Sequence, residues 1–234
     1  MKNITTLTKQ VIALTLIIAS FLSCENDDDI SGTNLPKLVQ MIGLGGSSVF
    51  DYGENGFLKK ISWPGSIVKY TYNSDNQITT ETFERNGPDA NTTTYYYEDN
   101  KIISSSDSQS LLTYYFYNAD SQLISTESNG VITIYNYDVL GRLTEKIKDS
   151  EVIESYEYDD KTNPFQFIFP EAFNKIHGGS TLPVSNNGFT QNNATSYTHY
   201  GSPSEYTYEY NSNGLPFSKT LIGFTYPPTK YVYE

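Results

Sequence analysis

Aromatic and polar residues alternate along most of this chain, and the alternation recurs. The clearest copy is Tyr135-Asn136-Tyr137-Asp138-Val139-Leu140-Gly141-Arg142-Leu143-Thr144-Glu145-Lys146-Ile147. Tyr135 and Tyr137 are two apart and share one face of a strand. Asp138 starts a turn through its side chain, and Gly141 accepts positive φ. Leu143 and Ile147, with Glu145 between them, read as period-two spacing on a returning strand. The second aromatic of each copy falls at 52, 72, 97, 117, 137, 158, 210 and 233, in steps of 20, 25, 20, 20, 21, 52 and 23.

About twenty residues hold two strands and two turns, which is one β-hairpin. A lone hairpin cannot bury its apolar face, so the hairpins must stack. Ser128-Asn129-Gly130 and Asp149-Ser150 mark the second turn of the unit. The expected fold is all-β: a single twisted antiparallel meander, curled toward a half-barrel, with one short helix. The first strand is read at Leu38 to Ile42. Gly43-Leu44-Gly45-Gly46 reads as a turn, because a phosphate loop needs a lysine and a following helix.

The period fails between Lys161 and Tyr206, read as an irregular insertion. There Pro170 to His177, followed by Gly178-Gly179, has proline at a helix start and glycine at its end, predicting one or two helical turns. Phe165, Phe167, Phe169, Phe173 and Ile176 make this segment apolar, which suits a plug or a cover on one face or end of the sheet. Residues 180–196 read as loop. A departure from a repeat is where a ligand region is best sought, so Phe165, Phe169, Phe173 and His177 are the candidate ligand residues.

The N-terminus has another pattern. Lys2 and Lys9 precede an apolar run from Val11 to Leu22, too short for a membrane span and suited to a signal peptide. Ser23 before Cys24, the only cysteine, resembles a bacterial lipobox, with Phe21 where leucine is usual. Residues 1–23 are thus read as a lipoprotein signal peptide, Cys24 as the lipidated residue, 24–37 as an acidic tether and 38–234 as the repeat domain. Glu25-Asn26-Asp27-Asp28-Asp29 resembles the surface-export signal of Bacteroidota lipoproteins. An outer-membrane lipoprotein at the cell surface is expected, with the periplasmic leaflet as the alternative.

Composition agrees. Tyr (21) and Phe (12) are abundant and favour strands. Loss of Lys2 and Lys9 with the signal takes the net charge from -12 to -14. An acidic chain without a basic stripe is not expected to bind nucleic acid.

Tyr135 to Leu143 resembles the YD repeat of RHS-type proteins, although the chain has no RHS core protease motif and is too short for an RHS shell. Over the whole mature chain a second resemblance holds, to uncharacterised Bacteroidota lipoproteins built from YD-like hairpins. It rests on Asp159-Asp160-Lys161-Thr162-Asn163-Pro164-Phe165, Asn192-Asn193 and Tyr208-Glu209-Tyr210-Asn211-Ser212-Asn213-Gly214-Leu215-Pro216. The resemblance implies an all-β fold and leaves function open.

Chemistry is sparse. His177 and His199 are the only histidines, and no Gly-x-Ser-x-Gly elbow exists. His199 reads as a strand position. No metal-ligand spacing is present, and no cofactor is expected. Glu81, Glu84, Glu145, Glu151 and Glu154 read as mostly outward or turn positions. Asp138, Gly141, Asn211 and Gly214 read as turn chemistry. The expectation is a non-enzymatic, monomeric structural or interaction module held to a membrane through Cys24, with a glycan or a protein as partner. The alternatives are a carrier of an apolar ligand, whose cavity would carry Phe and Ile and no plug, and, furthest, a hydrolase.

Overall fold

The computed structural model describes residues 36–86, 90–176 and 191–234. Among these, sixteen strands follow one another: β1 (Leu38–Gly43), β2 (Gly46–Tyr52), β3 (Leu58–Trp63), β4 (Ser66–Tyr72), β5 (Ile78–Arg85), β6 (Ala90–Glu98), β7 (Lys101–Ser106), β8 (Leu112–Tyr117), β9 (Leu123–Ser128), β10 (Val131–Tyr137), β11 (Leu143–Lys148), β12 (Glu151–Thr162), β13 (Asn192–His199), β14 (Ser202–Tyr210), β15 (Pro216–Leu221) and β16 (Thr229–Tyr233). Each pairs with its sequence neighbours, and β16 pairs with β1, so the sheet closes into a barrel. The open, half-curled meander expected from sequence is therefore corrected. The ladder is antiparallel throughout, as expected.

The closed form follows from one unit used eight times. In the unit built from β10 and β11, Asp138 Oδ1 accepts from the amides of Leu140 and Arg142, both at 2.9 Å. Gly141 donates to the Asp138 carbonyl at 3.0 Å with φ of 76°. Asn211 and Gly214 repeat this arrangement between β14 and β15. Asn76 and Ser121 take the glycine position elsewhere, also at positive φ. The opposite turns use two residues, as at Asn129-Gly130 and Asp149-Ser150, all with positive φ that matches strand twist.

Each unit also carries a β-bulge after its first returning residue. Tyr137 faces Leu143, but Asn136 faces Glu145, which leaves Thr144 unpaired. The same slip occurs after Leu38, Leu58, Ile78, Ile102, Leu123, Ala194 and Pro216. A bulge adds local twist and bends the strand, so a slip in every unit curves the sheet steadily. It also shifts the phase of the returning strand: the next inward residue comes three positions on rather than two. Period-two reading of β11 is thereby corrected. Lys146 faces inward opposite Tyr135, and Ile147 faces outward opposite Ile134.

The bulge fixes a role for tyrosine. Two residues past the last pair of each neighbouring ladder, the bulge-side carbonyl receives a tyrosine hydroxyl. Tyr52, Tyr72, Tyr97, Tyr117, Tyr137 and Tyr158 donate to Leu38, Leu58, Ile78, Ile102, Leu123 and Leu143. Tyr208 and Tyr233 donate to Ala194 and Pro216. All eight bonds span 2.5–2.8 Å.

Closure is the eighth use of the same geometry. Leu38 faces Tyr233, Gln40 faces Val232, and Val39 is the bulge. Lys37 and Glu234 exchange two backbone hydrogen bonds at 2.9 Å. β16 and β1 thus form a complete unit whose turn is missing.

The insertion occupies the turn of the unit built from β12 and β13. It enters the barrel as a 3-10 turn (Pro164–Phe167) and the helix α1 (Glu171–Lys175). Asn163 caps the 3-10 turn, accepting from the Phe165 amide at 3.1 Å. Phe165, Ile168, Phe169 and Phe173 are buried in the core formed with Phe50, Leu58, Ile61, Tyr70, Tyr95 and Tyr231. The sequence-based expectation of a loop at 180–196 differs from the structure in part, because Asn192 already belongs to β13.

Candidate functional site

The sequence-derived ligand region is core. Phe169 and Phe173 meet the Tyr70 ring edge-on at 4.8 and 5.9 Å, and Phe173 meets Tyr95 at 5.3 Å. Phe165, Phe169 and Phe173 are each 2 % exposed or less. No ligand reaches them without displacing the plug. His177, Cys24 and Glu25 to Asp29 lie outside the described residues.

The glutamates expected to face outward divide. Glu81 is buried inside, accepting from the Tyr95 hydroxyl at 2.8 Å. Glu154 also faces inward, bonded to Lys146 at 2.8 Å and to the Tyr156 hydroxyl, with His199 at 3.8 Å. Glu81 stands three residues after Ile78, the inward position after a bulge, and Glu154 stands two before Tyr156 on the same face. Burial pushes the Glu154 carboxyl up, but Lys146, Tyr156 and His199 outweigh it and hold it below its ordinary value. A general base working near neutrality needs the opposite tuning. Burial also lowers Lys219, beside the Tyr206 and Tyr208 rings, to about 7. Among the described residues no cluster of His, Cys, Asp and Glu suits a metal ion.

The outer face is uneven. On β2 to β5 it carries the ion pairs Asp51–Lys60 and Lys69–Glu84, both at 2.7 Å. Charged pairs there break any continuous apolar belt of the kind a lipid-facing barrel wall needs. From β6 to β12 the outer face changes character. One lateral row runs Phe116, Ser125, Ile134, Ile147, Val152 across five strands. The next runs Tyr96, Ser104, Tyr114, Glu127, Ile132. Phe116, Ile134, Val152, Tyr96, Tyr114 and Ile132 are 46–54 % exposed. A shallow groove lined by Leu111, Leu112, Tyr114, Glu127 and Asn129 continues the second row toward the two-residue turns. These are the residues that sequence reading missed. The signal was present in the bulge, which turns Ile147 outward beside Ile134.

No family model matches this chain, and no curated protein matches it. Among solved structures, a porin-like protein from Bacteroides uniformis ATCC 8492 is similar at 12% identity and a TM-score of 0.39, covering 83% of this chain and 95% of that one. The TcdB2-TccC3-Cdc42 structure is similar at 14% identity and a TM-score of 0.33, over 79% of this chain and 10% of that one. The Photorhabdus luminescens Tc holotoxin pore is similar at 15% identity and a TM-score of 0.21, over 80% of this chain and 10% of that one. This chain therefore spans about a tenth of the length of the toxin chains. Likenesses this distant carry no functional argument.

Proposed function

We propose that this protein is an envelope lipoprotein of the YD-like Bacteroidota kind, tethered through Cys24, and that it serves as an interaction module rather than as a container. The observation that carries this reading is the pair of apolar rows on the outer face of β6 to β12 beside an interior where the plug packs against Phe50, Tyr70, Tyr95 and Tyr231. A contiguous exposed apolar patch of that kind marks an interaction surface. The alternative of an apolar-ligand carrier needs an unplugged cavity lined by Phe and Ile. The phenylalanines of the insertion take that space.

The rows mix aliphatic and aromatic side chains with Glu127 and two serines, which suits a protein partner. The test is a photo-crosslinking residue placed at Ile134 and, as a control, at Lys69 on the charged face. Discrete adducts at position 134 and none at 69 support the reading. Equal or absent adducts at both refute it. For the tether, Cys24→Ala is expected to release the protein from the membrane fraction.

A glycan-binding reading is favoured by one observation in the connection from β15 to β16. Phe224 and Tyr226 stack at 5.4 Å with 12° between planes, and both are exposed. Loss of glycan-array signal on Tyr226→Ala would support it.

A further inference from the structure

The two ends of the barrel differ, and the difference bears on the tether. The Asx turns, Lys37 and Glu234 share one end, shown by the Lys37–Glu234 backbone pair beside Leu38 and by the Lys37 ammonium over the Tyr52 ring at 5.2 Å. The chain preceding Lys37, with Cys24 thirteen residues before it, joins the barrel there. A segment of that length spans at most about 45 Å fully extended, and about 20 Å on average if flexible. A lipid on Cys24 would keep this end close to a bilayer.

Among the described turns at this end, each tip pair carries an acid or an amide, with one exception. Glu54-Asn55, Ser74-Asp75, Asp99-Asn100, Ala119-Asp120 and Ser212-Asn213 occupy five of them. In the unit built from β10 and β11 the equivalent pair is Val139-Leu140. Val139 is 102 % exposed and Leu140 is 64 % exposed. The turn geometry does not require apolar residues there, because Ser74-Asp75 and Ser212-Asn213 sit in the same hydrogen-bonded turn. Within this turn Arg142 pairs with Asp138 at 2.7 Å, so the one carboxylate beside the apolar tip is compensated by a cation. Exposed apolar side chains without uncompensated negative charge suit the headgroup boundary of a lipid surface, whereas the acidic tips suit water.

We infer that Val139-Leu140 inserts into the bilayer interface and makes the barrel lean on this turn. This deepens the tether reading and rests on it. Leaning raises the β2 to β5 side and leaves the apolar rows of β8 to β12 rising from the membrane beside the contact.

The test uses the full lipoprotein in vesicles. Its lipidated Cys24 has no free thiol, so Val139→Cys provides a single site for an environment-sensitive fluorophore. Flotation with the vesicles, a blue-shifted emission and quenching by spin-labelled lipid are expected at position 139. Asn129→Cys, at the other end, should show iodide quenching and no shift. Adding Leu140→Asp should diminish the blue shift at 139 while the circular dichroism spectrum stays unchanged. Flotation with identical, water-like probes at 139 and 129 overturns the inference and leaves the tether standing. Failure to float overturns the tether reading, and the inference falls with it.

Discussion

Replacing Tyr137 with phenylalanine tests what the repeated tyrosines do. The ring stays, and only the hydroxyl bonded to the Leu123 carbonyl at 2.7 Å is removed. That carbonyl lies beyond the last pair of the β9–β10 ladder, Ile134 with Ser125, so Tyr137 satisfies a group the bulge left unpaired. A neutral hydrogen bond contributes about 0.5–1.5 kcal/mol net, and a stranded buried acceptor costs about 1–3 kcal/mol. Tyr137 is half-buried, so water recovers part of this, and about 1–2 kcal/mol is expected. In a domain of this size that corresponds to a fall in Tm of roughly 2–8 °C. Tyr114→Phe is the control, because Tyr114 is 46 % exposed on the outer face; it should change stability by less than about 0.5 kcal/mol. Urea unfolding with an unchanged slope is the assay. Equal effects for Tyr137→Phe and Tyr114→Phe would refute the hydroxyl's role and leave the tyrosines as packing alone.

The remaining expectations concern pH and the plug. Burial, with Glu81, Glu154 or a neighbouring tyrosine adding to it, holds Tyr70, Tyr95, Tyr156 and Tyr231 protonated above their ordinary value. Their stabilisation is complete below the unfolded tyrosine value near 10 and is lost as pH rises. Each removes about 1.4 kcal/mol per pH unit once it ionises only in the unfolded chain; unfolding by circular dichroism should therefore coincide with tyrosinate absorbance, and ionisation of all tyrosines without unfolding would refute it. Lys219, lowered to about 7 by burial, binds its proton less well folded than unfolded. Stability from this group rises as pH climbs from about 7 to 10, so Lys219→Met should stabilise more below neutrality than at about pH 9, and a uniform effect would count against it. Phe173→Ala empties the centre of the plug and should cost about 3–5 kcal/mol, read from thermal unfolding; a loss under about 1 kcal/mol would mean the plug is dispensable.

Much of this fold was legible because its information is local. Asp138, Gly141, Asn211 and Gly214 bond within their own turns, over four residues, so their chemistry depends on spacing alone. The inward faces were legible only as far as Leu143. Beyond it the slip at Thr144 reverses the phase, which hid Lys146 inside the barrel and Ile147 outside it, as the equivalent slip at Thr79 hid Glu81. The rule is recoverable once seen, since the inward pair is always separated by three: Leu58 and Ile61, Ile78 and Glu81, Leu143 and Lys146. The outer rows depend on which residues from five strands lie side by side, and a linear reading cannot register Phe116 against Ile134 and Val152.

By itself the sequence determined the unit: an aromatic strand, an Asx turn, an aliphatic return and a step near twenty. Those are short-range matters of dihedral preference and hydrogen bonding within a hairpin. Tertiary structure decided how many such units make a ring, and where the odd segment goes. Closure requires β16 to meet β1 across almost the whole described chain, in the same slipped register as every internal unit, and that depends on curvature summed over all the bulges. The plug's destination was likewise settled by the space the ring encloses. Residues 163–176 are apolar in any reading, but only a closed wall of Phe50, Tyr70, Tyr95 and Tyr231 makes the interior the place that buries them.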